Sequence, residues 1–417
     1  MGAEELSAAD VMSPDRYAER GYPYEAWAAL RREAPVHWFD FGERPGFWAI
    51  TRRADIVWLS KQPQRFRNAP RQAVFADSPG GESRPNESPF RHLLNMDPPE
   101  HAQIRALASG WFTPRSIARR RPEIERLAAD LIDGLAECDS ADFVTDLAAP
   151  LTLSVLADML GVPRGDWQEL FAWTNQIAGS TDPEFQAPES EGASATMQLA
   201  LDEMFGYLLE LAAERRARPR DDILSVLVTA ELDGKPVPDF ELLSYLVLLI
   251  VAGNETTRNA ASGGLLALIE HPDQLARLQA DPGLVNVAVE ETVRFTSPVI
   301  QFCRTSIEDF ELHGQAIRAG ESLCLFYPSA NRDAEVFEAP DEFRVDRRKN
   351  PHIGFGIGEH FCLGANLARL ELRVIFEQLI PRLRDVALAR PPERMRSSFL
   401  GGVKRMPLHY HLGDAPR

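Results

Sequence analysis

The sequence predicts a mainly α-helical protein with small β-sheets at its margins, an α+β chain forming one domain over residues 1–417. Three observations predict this. Apolar residues recur at helical spacing through most of the chain, one such segment (residues 240–270) is unusually long, and strand-like alternation is confined to a few short stretches.

Taken in order, "GFWAIT" (46–51) reads as a strand, and "EIERLAADLIDGLAE" (123–137) as an amphipathic helix. A second helix is predicted over 197–217. The long one over 240–270 has Asp239 as a candidate N-cap and His271-Pro272 as a stop. "DPGLVNVAVEETVRF" (281–295) gives a shorter helix. Short strands are expected over 309–314, 322–330 and 407–412. Two stretches rich in Pro, Gly, Ser and Asn, residues 67–91 and 178–195, read as loops, either functional lids or solvated spacers.

A net charge of −17 argues against a general nucleic-acid binder, which needs basic surface to neutralise phosphates. The N-terminus is charged and has no apolar core of a signal peptide, and "MGAEEL" meets a myristoylation signal only loosely because Leu6 replaces Ser or Thr. The longest apolar run, 242–253, is too short to span a bilayer and leads into Glu255. Cys138, Cys303, Cys324 and Cys362 lie far apart with no CxxC spacing, which disfavours zinc and disulfides and fits a reducing cytoplasm. A cytoplasmic protein with no membrane span is expected, and a monomer.

Chemistry concentrates in "PHIGFGIGEHFCLGANLARLE" (351–371). A thiolate is a soft ligand for iron, and Cys362 stands just ahead of a helical run, where the helix dipole and unsatisfied amides favour a negative sulfur. Gly356, Gly358 and Gly364 would let the backbone approach a flat cofactor. The spacing Phe355-x-x-Gly358-x-His360-x-Cys362-x-Gly364 resembles the haem-thiolate loop of cytochrome P450 monooxygenases. The resemblance implies the P450 fold, with haem b between the long helix and the helix after the cysteine. It makes Cys362 the axial iron ligand, dioxygen the cosubstrate, and NAD(P)H the source of electrons.

About a hundred residues earlier, "AGNETT" (252–257) interrupts the apolar run of the long helix. Glycine and a back-bonding threonine there are expected to open the helical ladder. A carboxylate beside a hydroxyl suits proton relay, and the stretch is similar to the family's oxygen-activation motif, with Glu255 as the acid and Thr256 as the alcohol. Peroxygenases of this fold carry an Arg-Pro pair in this helix; the chain lacks it, so dioxygen rather than peroxide is expected.

"EETVR" places Glu291 and Arg294 three apart on one helix face. By resemblance these form a structural triad with Arg347. His101 and Arg105, four apart, are similar to the family's propionate-binding pair, and Arg304 and His360 complete the set that the resemblance implies. Phe355 and Gly364 belong to the cofactor contacts on the same ground.

For the substrate, the resemblance implies an apolar pocket: Leu248, Val251 and Ala252 on the long helix, Val299, Ile300 and Phe302 after the Glu-x-x-Arg helix, Phe399 and Leu400 in the C-terminal turn, and part of 67–91 as a lid. Most of these residues would otherwise be core. Such a pocket suits a steroid, terpenoid or fatty-acid-like molecule. "LLNMDPPEH", "AGNETTRNA" and "CLGANLARLE" look nearest to bacterial hydroxylases of sterols and methyl-branched lipids. No flavin or iron–sulfur module is expected within the chain, so electrons would come from a separate ferredoxin and ferredoxin reductase. These would dock near Arg105 and the basic run 115–121 (Arg115 to Arg121), which as easily reads as a solvated face. Tailoring of a polyketide or other secondary metabolite, a non-catalytic haem or gas-sensing protein, and a module without haem remain the alternatives.

Overall fold

The computed structural model describes residues 2–42, 44–74, 92–136, 140–188 and 192–413. Its longer helices are α1 (Tyr24–Glu33), α2 (Arg53–Ser60), α3 (Glu100–Ser109), α4 (Arg121–Ala136), α5 (Ala149–Leu160), α6 (Trp167–Ala178), α7 (Ala193–Ala217), α8 (Asp239–Glu270), α9 (Pro272–Ala280), α10 (Val285–Thr296) and α11 (Ala365–Leu379). The principal strands are β1 (Val36–Phe41), β2 (Arg44–Ile50), β3 (Phe66–Arg67), β4 (Ser140–Asp142), β5 (Gln301–Ser306), β6 (Ser322–Phe326), β7 (Leu383–Leu388) and β8 (Pro407–Leu412).

The amphipathic helices bury the residues that their spacing selects. In α4 these are Ile124, Ala128, Ile132 and Leu135, one stripe at three- and four-residue steps. The long helix α8 behaves differently. From Leu242 to Ile250 every side chain is buried, so the element is apolar all round and forms the centre of the main core. It is long and apolar enough to pass for a membrane span, but 67% of its most apolar window is buried inside the fold.

The boundaries of α8 refine the sequence reading. Pro238 takes the N-cap place, and Asp239 lies in the first turn, paired with Arg216. A carboxylate there meets the positive helix end. At the other end α8 does stop at His271, but Pro272 also starts a helix, α9, which the sequence reading did not foresee. Proline lacks only an amide that the first helical turn would leave unbonded.

The main sheet has the order β1-β2-β6-β5-β3, antiparallel except where β6 runs parallel to β2. The expected strand over 322–330 ends at Phe326; Tyr327–Ala330 forms a helical turn, because Pro328 has no amide for a ladder. The strand expected over 309–314 is one arm of a hairpin, Phe310–Leu312 against Gln315–Ile317, turning through His313 and Gly314 at φ of 50° and 77°. A second sheet, β7-β8-β4, joins the C-terminus to the middle of the chain.

Of the two expected loops, residues 75–91 and 189–191 lie outside the described residues, as does Cys138. The remainder of the first loop is tied down: Gln301, fully buried, donates to Val74 O at 2.7 Å and accepts from Val74 N at 3.2 Å. The second contains a 3₁₀ turn, Pro183–Phe185, and α7 begins at Ala193.

Candidate active site

The cysteine loop runs from Ile353 to Cys362 and is folded by its own amides. Gly356 N donates to Ile353 O at 2.9 Å, and Cys362 N to Phe355 O at 2.9 Å. Gly356 and Gly358 have φ of 72° and 79°, in the left-handed region where a Cβ is strained. A Cβ on Gly358 would also lie 2.3 Å from Ser60 O at the end of α2. Gly358 therefore serves the packing of the loop against α2. Gly364 differs: its Cβ side is open, and it takes the N-cap place of α11 two residues after Cys362. Burial pushes the Cys362 thiol up, while the Gly364 amide and the charges of Arg105 and Arg369 act against it.

Behind the loop stands a three-way clamp. Glu290 on α10 accepts from Arg369 on α11 at 2.6 and 2.9 Å and lies 3.0 Å from His352 Nε2. The Arg369 guanidinium also covers the Phe355 ring at 4.5 Å. Next to Glu290 along α10, Glu291 is fully buried and forms a two-bond fork at 2.7 and 2.8 Å with Arg294, itself fully buried one turn on. Arg347 adds bonds to both oxygens of Glu291 at 3.1 and 3.0 Å. The two arginines then donate to the carbonyls of Asn331, Glu338, Ala339, Pro340 and Glu342. This network pins the irregular segment ahead of the cysteine to α10.

Beside the loop lies a buried cluster of donors. The rings of His101 and His360 are 4.0 Å apart. Both Nε2 atoms are buried without a hydrogen-bond partner. Burial, followed by the nearby arginine charges, holds His101 at about 4 and His360 at about 2, so both are neutral at pH 7. Arg105 donates to Phe361 O at 2.7 Å, and Arg304 to Cys303 O at 2.8 Å. Neither arginine has an acid partner among the described residues. Arg304 is buried and Arg105 half-buried, and a buried cation needs a counter-charge.

On α8, the turn around Ala252 is the open one. Ala252 is exposed, and Val251, Gly253 and Thr256 are half-buried, in a helix otherwise packed on its sides. Thr256 Oγ1 donates to Ala252 O at 2.9 Å, the expected back-bond. The helix nevertheless runs unbroken through this turn, contrary to the expected opening of its ladder. The bond adds to the amide ladder without displacing it.

The cytochrome P450 family model matches residues 283–406. A steroid C26-monooxygenase of Rhodococcus jostii (strain RHA1) is 38% identical over 410 residues, covering 96% of this chain and 84% of that protein. The chain belongs to the cytochrome P450 family. A methyl-branched lipid omega-hydroxylase of Mycobacterium tuberculosis is 39% identical to this P450 over 415 residues, 97% of the chain and 94% of the relative. Among solved structures, Mycobacterium marinum cytochrome P450 CYP268A2 in complex with pseudoionone superposes with a TM-score of 0.89 at 37% identity, covering 97% of this chain and 98% of that one.

P450s carry haem and use dioxygen with reducing electrons. The donor set fits that group. Two unpartnered imidazole nitrogens and two arginines without acids match two carboxylates of one cofactor. The open side of Gly364 and the half-buried Cys362 leave room beside the sulfur.

The pocket residues expected from the sequence fall into two groups. Val299 and Leu400 form an isolated bridge, and the Phe302 and Phe399 rings meet edge to face at 5.5 Å. With Leu248, Val251 and Ala252 these remain candidate pocket residues. Ile300 is placed elsewhere: fully buried, it joins the N-terminal cluster with Trp27, Phe47 and Phe326. It lies one residue before β5, ahead of the strand's alternation.

The basic run 115–121 is half neutralised. Arg120 lies near Glu123 and Asp158, and Arg121 bonds Glu125 and Glu377. Arg115 and Arg119 are exposed. This segment adjoins the start of α11, where Asn366 donates to Phe112 O at 2.9 Å, and Phe361 is exposed beside the cysteine.

Sequence reasoning missed Arg258, Asn254, Glu290, His352 and Arg369. One signal was available. "ETTR" (255–258) has the same Glu-x-x-Arg spacing as "ETVR" (291–294), and both pairs close in buried surroundings.

Proposed function

We propose that this P450 inserts one atom of dioxygen into a C–H bond of an apolar, lipid-like substrate: a steroid, a terpenoid or a branched fatty chain. The observation that carries the reading is the donor cluster of His101, Arg105, Arg304 and His360 beside Cys362, in which both imidazoles keep a buried, unpartnered Nε2. Cys362 would hold the haem iron through its sulfur, and the four donors would hold the haem carboxylates. Bound there, haem with a thiolate ligand supplies reductive activation and cleavage of dioxygen.

The chain's own residues bind, exclude water and move protons. Thr256 offers a hydroxyl on the open face of α8, and Glu255 supplies the proton to it. Leu248, Val251, Val299, Phe302, Phe399 and Leu400 give the substrate an apolar wall, which favours a hydrocarbon frame. The relatives named for steroid C26 and methyl-branched lipid oxidation, and the neighbour holding pseudoionone, support this substrate class. Electrons come from NAD(P)H through a separate ferredoxin and its reductase. These dock on the cysteine side, near Arg105 and the run 115–121, of which Arg115 and Arg119 are exposed. A single domain, a monomer and a cytoplasmic location complete the reading.

Two measurements test it. The reduced, CO-treated protein should show the red-shifted absorption band of a thiolate-ligated haem, and Cys362→Ala should lose it. A screen of steroids, terpenes and fatty acids for a low- to high-spin shift should return a ligand that is oxidised with surrogate redox partners. Thr256→Ala should uncouple that oxidation; unchanged coupling would refute the assigned role.

A further inference from the structure

We propose that Tyr22 is a positioning residue for the substrate wall: it ties the segment carrying Val299 and Phe302 to the turn carrying Phe399 and Leu400, and so sets the size of molecule that the pocket takes. This rests on the monooxygenase reading above.

Tyr22 lies just ahead of α1, far from the pocket in sequence. Its ring meets Tyr17 and Tyr24 edge to face at 5.9 and 5.6 Å and leans on fully buried Trp27 at 5.8 Å. Packed in this way, the ring has little freedom to turn aside. Burial pushes its phenol well up, so Tyr22 stays a donor through the ordinary pH range. Its hydroxyl donates to Ser297 O at 2.9 Å.

Ser297 is where the chain leaves α10 for the wall. Its φ of 40° is a left-handed conformation, which a residue with a Cβ keeps only when its surroundings hold it there. Here they do. Ser297 N donates to Val293 O at 3.1 Å, Ser297 Oγ donates to Arg294 O at 2.8 Å, and Asn331 Nδ2 donates to Ser297 Oγ at 2.8 Å. Tyr22 supplies the bond to the carbonyl. From this point the chain passes at once into the wall. Gly401 N donates to Pro298 O at 2.8 Å and Ile300 N to Phe399 O at 2.9 Å, flanking the Val299–Leu400 bridge.

The same ring bounds the second segment. Gly401 lies so close that a Cβ there would overlap the Tyr22 hydroxyl and ring. The next residue, Gly402, lies against α8, where a Cβ would overlap the Asn259 side chain. The turn is thus wedged between Tyr22 and α8, with a glycine at each contact. Asn259 stands two turns beyond Ala252 on nearly the same stripe of the helix. Ala252 is on the open stretch of that stripe, and Gly402 covers its end. Where the turn sits against α8 therefore sets how far the open stretch extends, and Tyr22 keeps the turn from backing away. A second tie, Arg396 to Asp15 at 2.6 Å, is exposed and contributes little.

The test uses the haem-loaded protein and two azoles of different size, imidazole and clotrimazole, whose binding is read from the shift of the haem absorption band. Tyr22→Ala should tighten clotrimazole relative to imidazole about tenfold, the scale of a methylene of pocket space. Gly401→Ala, which drives the turn from Tyr22 toward α8, should move the same ratio the other way. In the double variant the added methyl enters the space that the ring has left, so the effect of Gly401→Ala should vanish. A merely structural role would lower the melting temperature and weaken both azoles alike. Tyr22→Phe keeps the ring and loses the bond to Ser297; amide exchange at residues 299–302 should quicken about fivefold at unchanged haem content. Should Tyr22→Ala fail to fold, Tyr22→Phe and Gly401→Ala decide. A size ratio that the folded alanine variants leave unchanged, or unchanged exchange in Tyr22→Phe, overturns the proposal. The CO band of the wild-type protein tests the monooxygenase reading separately, and amide exchange needs no haem, so the two can fail independently.

Discussion

The imidazole rings of His101 and His360 lie 4.0 Å apart, although one comes from α3 and the other from the cysteine loop. Each keeps a buried nitrogen without a partner. Two neutral donors held in this way are ready for an anionic acceptor. His360→Phe or His101→Phe should therefore weaken haem retention about tenfold, the scale of one hydrogen bond to a charged group. Haem titration of the apoprotein measures this, and unchanged affinity in both variants would remove the histidines from the cofactor contacts.

Glu291 receives bonds from Arg294, Arg347, Asn350 and the Arg344 amide, all from surroundings with almost no solvent. Removing one member of such a network leaves buried charge uncompensated, at a cost of about 3–5 kcal/mol. Glu291→Gln should reduce soluble yield and haem content together and lower the melting temperature. Arg294→Lys should do nearly the same, because an ammonium cannot reach the several acceptors that the fork serves. A stable, haem-free Glu291→Gln protein would show that the network serves the cofactor alone.

Glu290 gives an acid-stability prediction. Burial pushes its carboxyl up, but the bonds from His352 and Arg369 outweigh that and hold it at about 2, against an ordinary 4.5. A depressed carboxyl contributes stability that is present above its unfolded value and lost as pH falls through the folded one. The gap in stability between wild type and Glu290→Gln should be full at neutral pH and should close between about 4.5 and 2. Denaturant melts across that range will detect it; a gap independent of pH would contradict the pairing.

On the cysteine side, Arg121 is tied to Glu125 and Glu377, whereas Arg115 and Arg119 are exposed. Paired charges contribute little to steering, and unpaired ones act over about one Debye length, ~10 Å at moderate salt. Arg115→Glu with Arg119→Glu should slow reduction by an acidic ferredoxin at low salt, with the difference shrinking as salt rises. Arg121→Glu should alter stability more than reduction rate. Stopped-flow reduction at several ionic strengths separates the two.

The helices with one apolar stripe, the buried central helix and the cysteine loop are legible in the chain's local spacing alone. Positions 124, 128, 132 and 135 define a face of α4 whatever lies opposite. The loop around Cys362 needs its glycines for its own backbone turns. Family membership was legible for the same reason, since its motifs are short and contiguous.

Which charges are paired, and which way each side chain turns, follows from packing between distant segments. Nothing local distinguishes Arg121 from Arg119, but Glu377 arrives from α11 to bind one of them. Ile300 reads as a pocket residue until the fold packs its side chain with Trp27, Phe47 and Phe326. Glu255 and Thr256 are neighbours in sequence, and adjacency suggests that they act as one. On a helix, successive side chains diverge by about 100°, so Glu255 turns to Arg258 and α6 while Thr256 faces the open side. Electrostatic pairing and burial are properties of surfaces brought together by folding, and the sequence records them only where the partners lie within one turn.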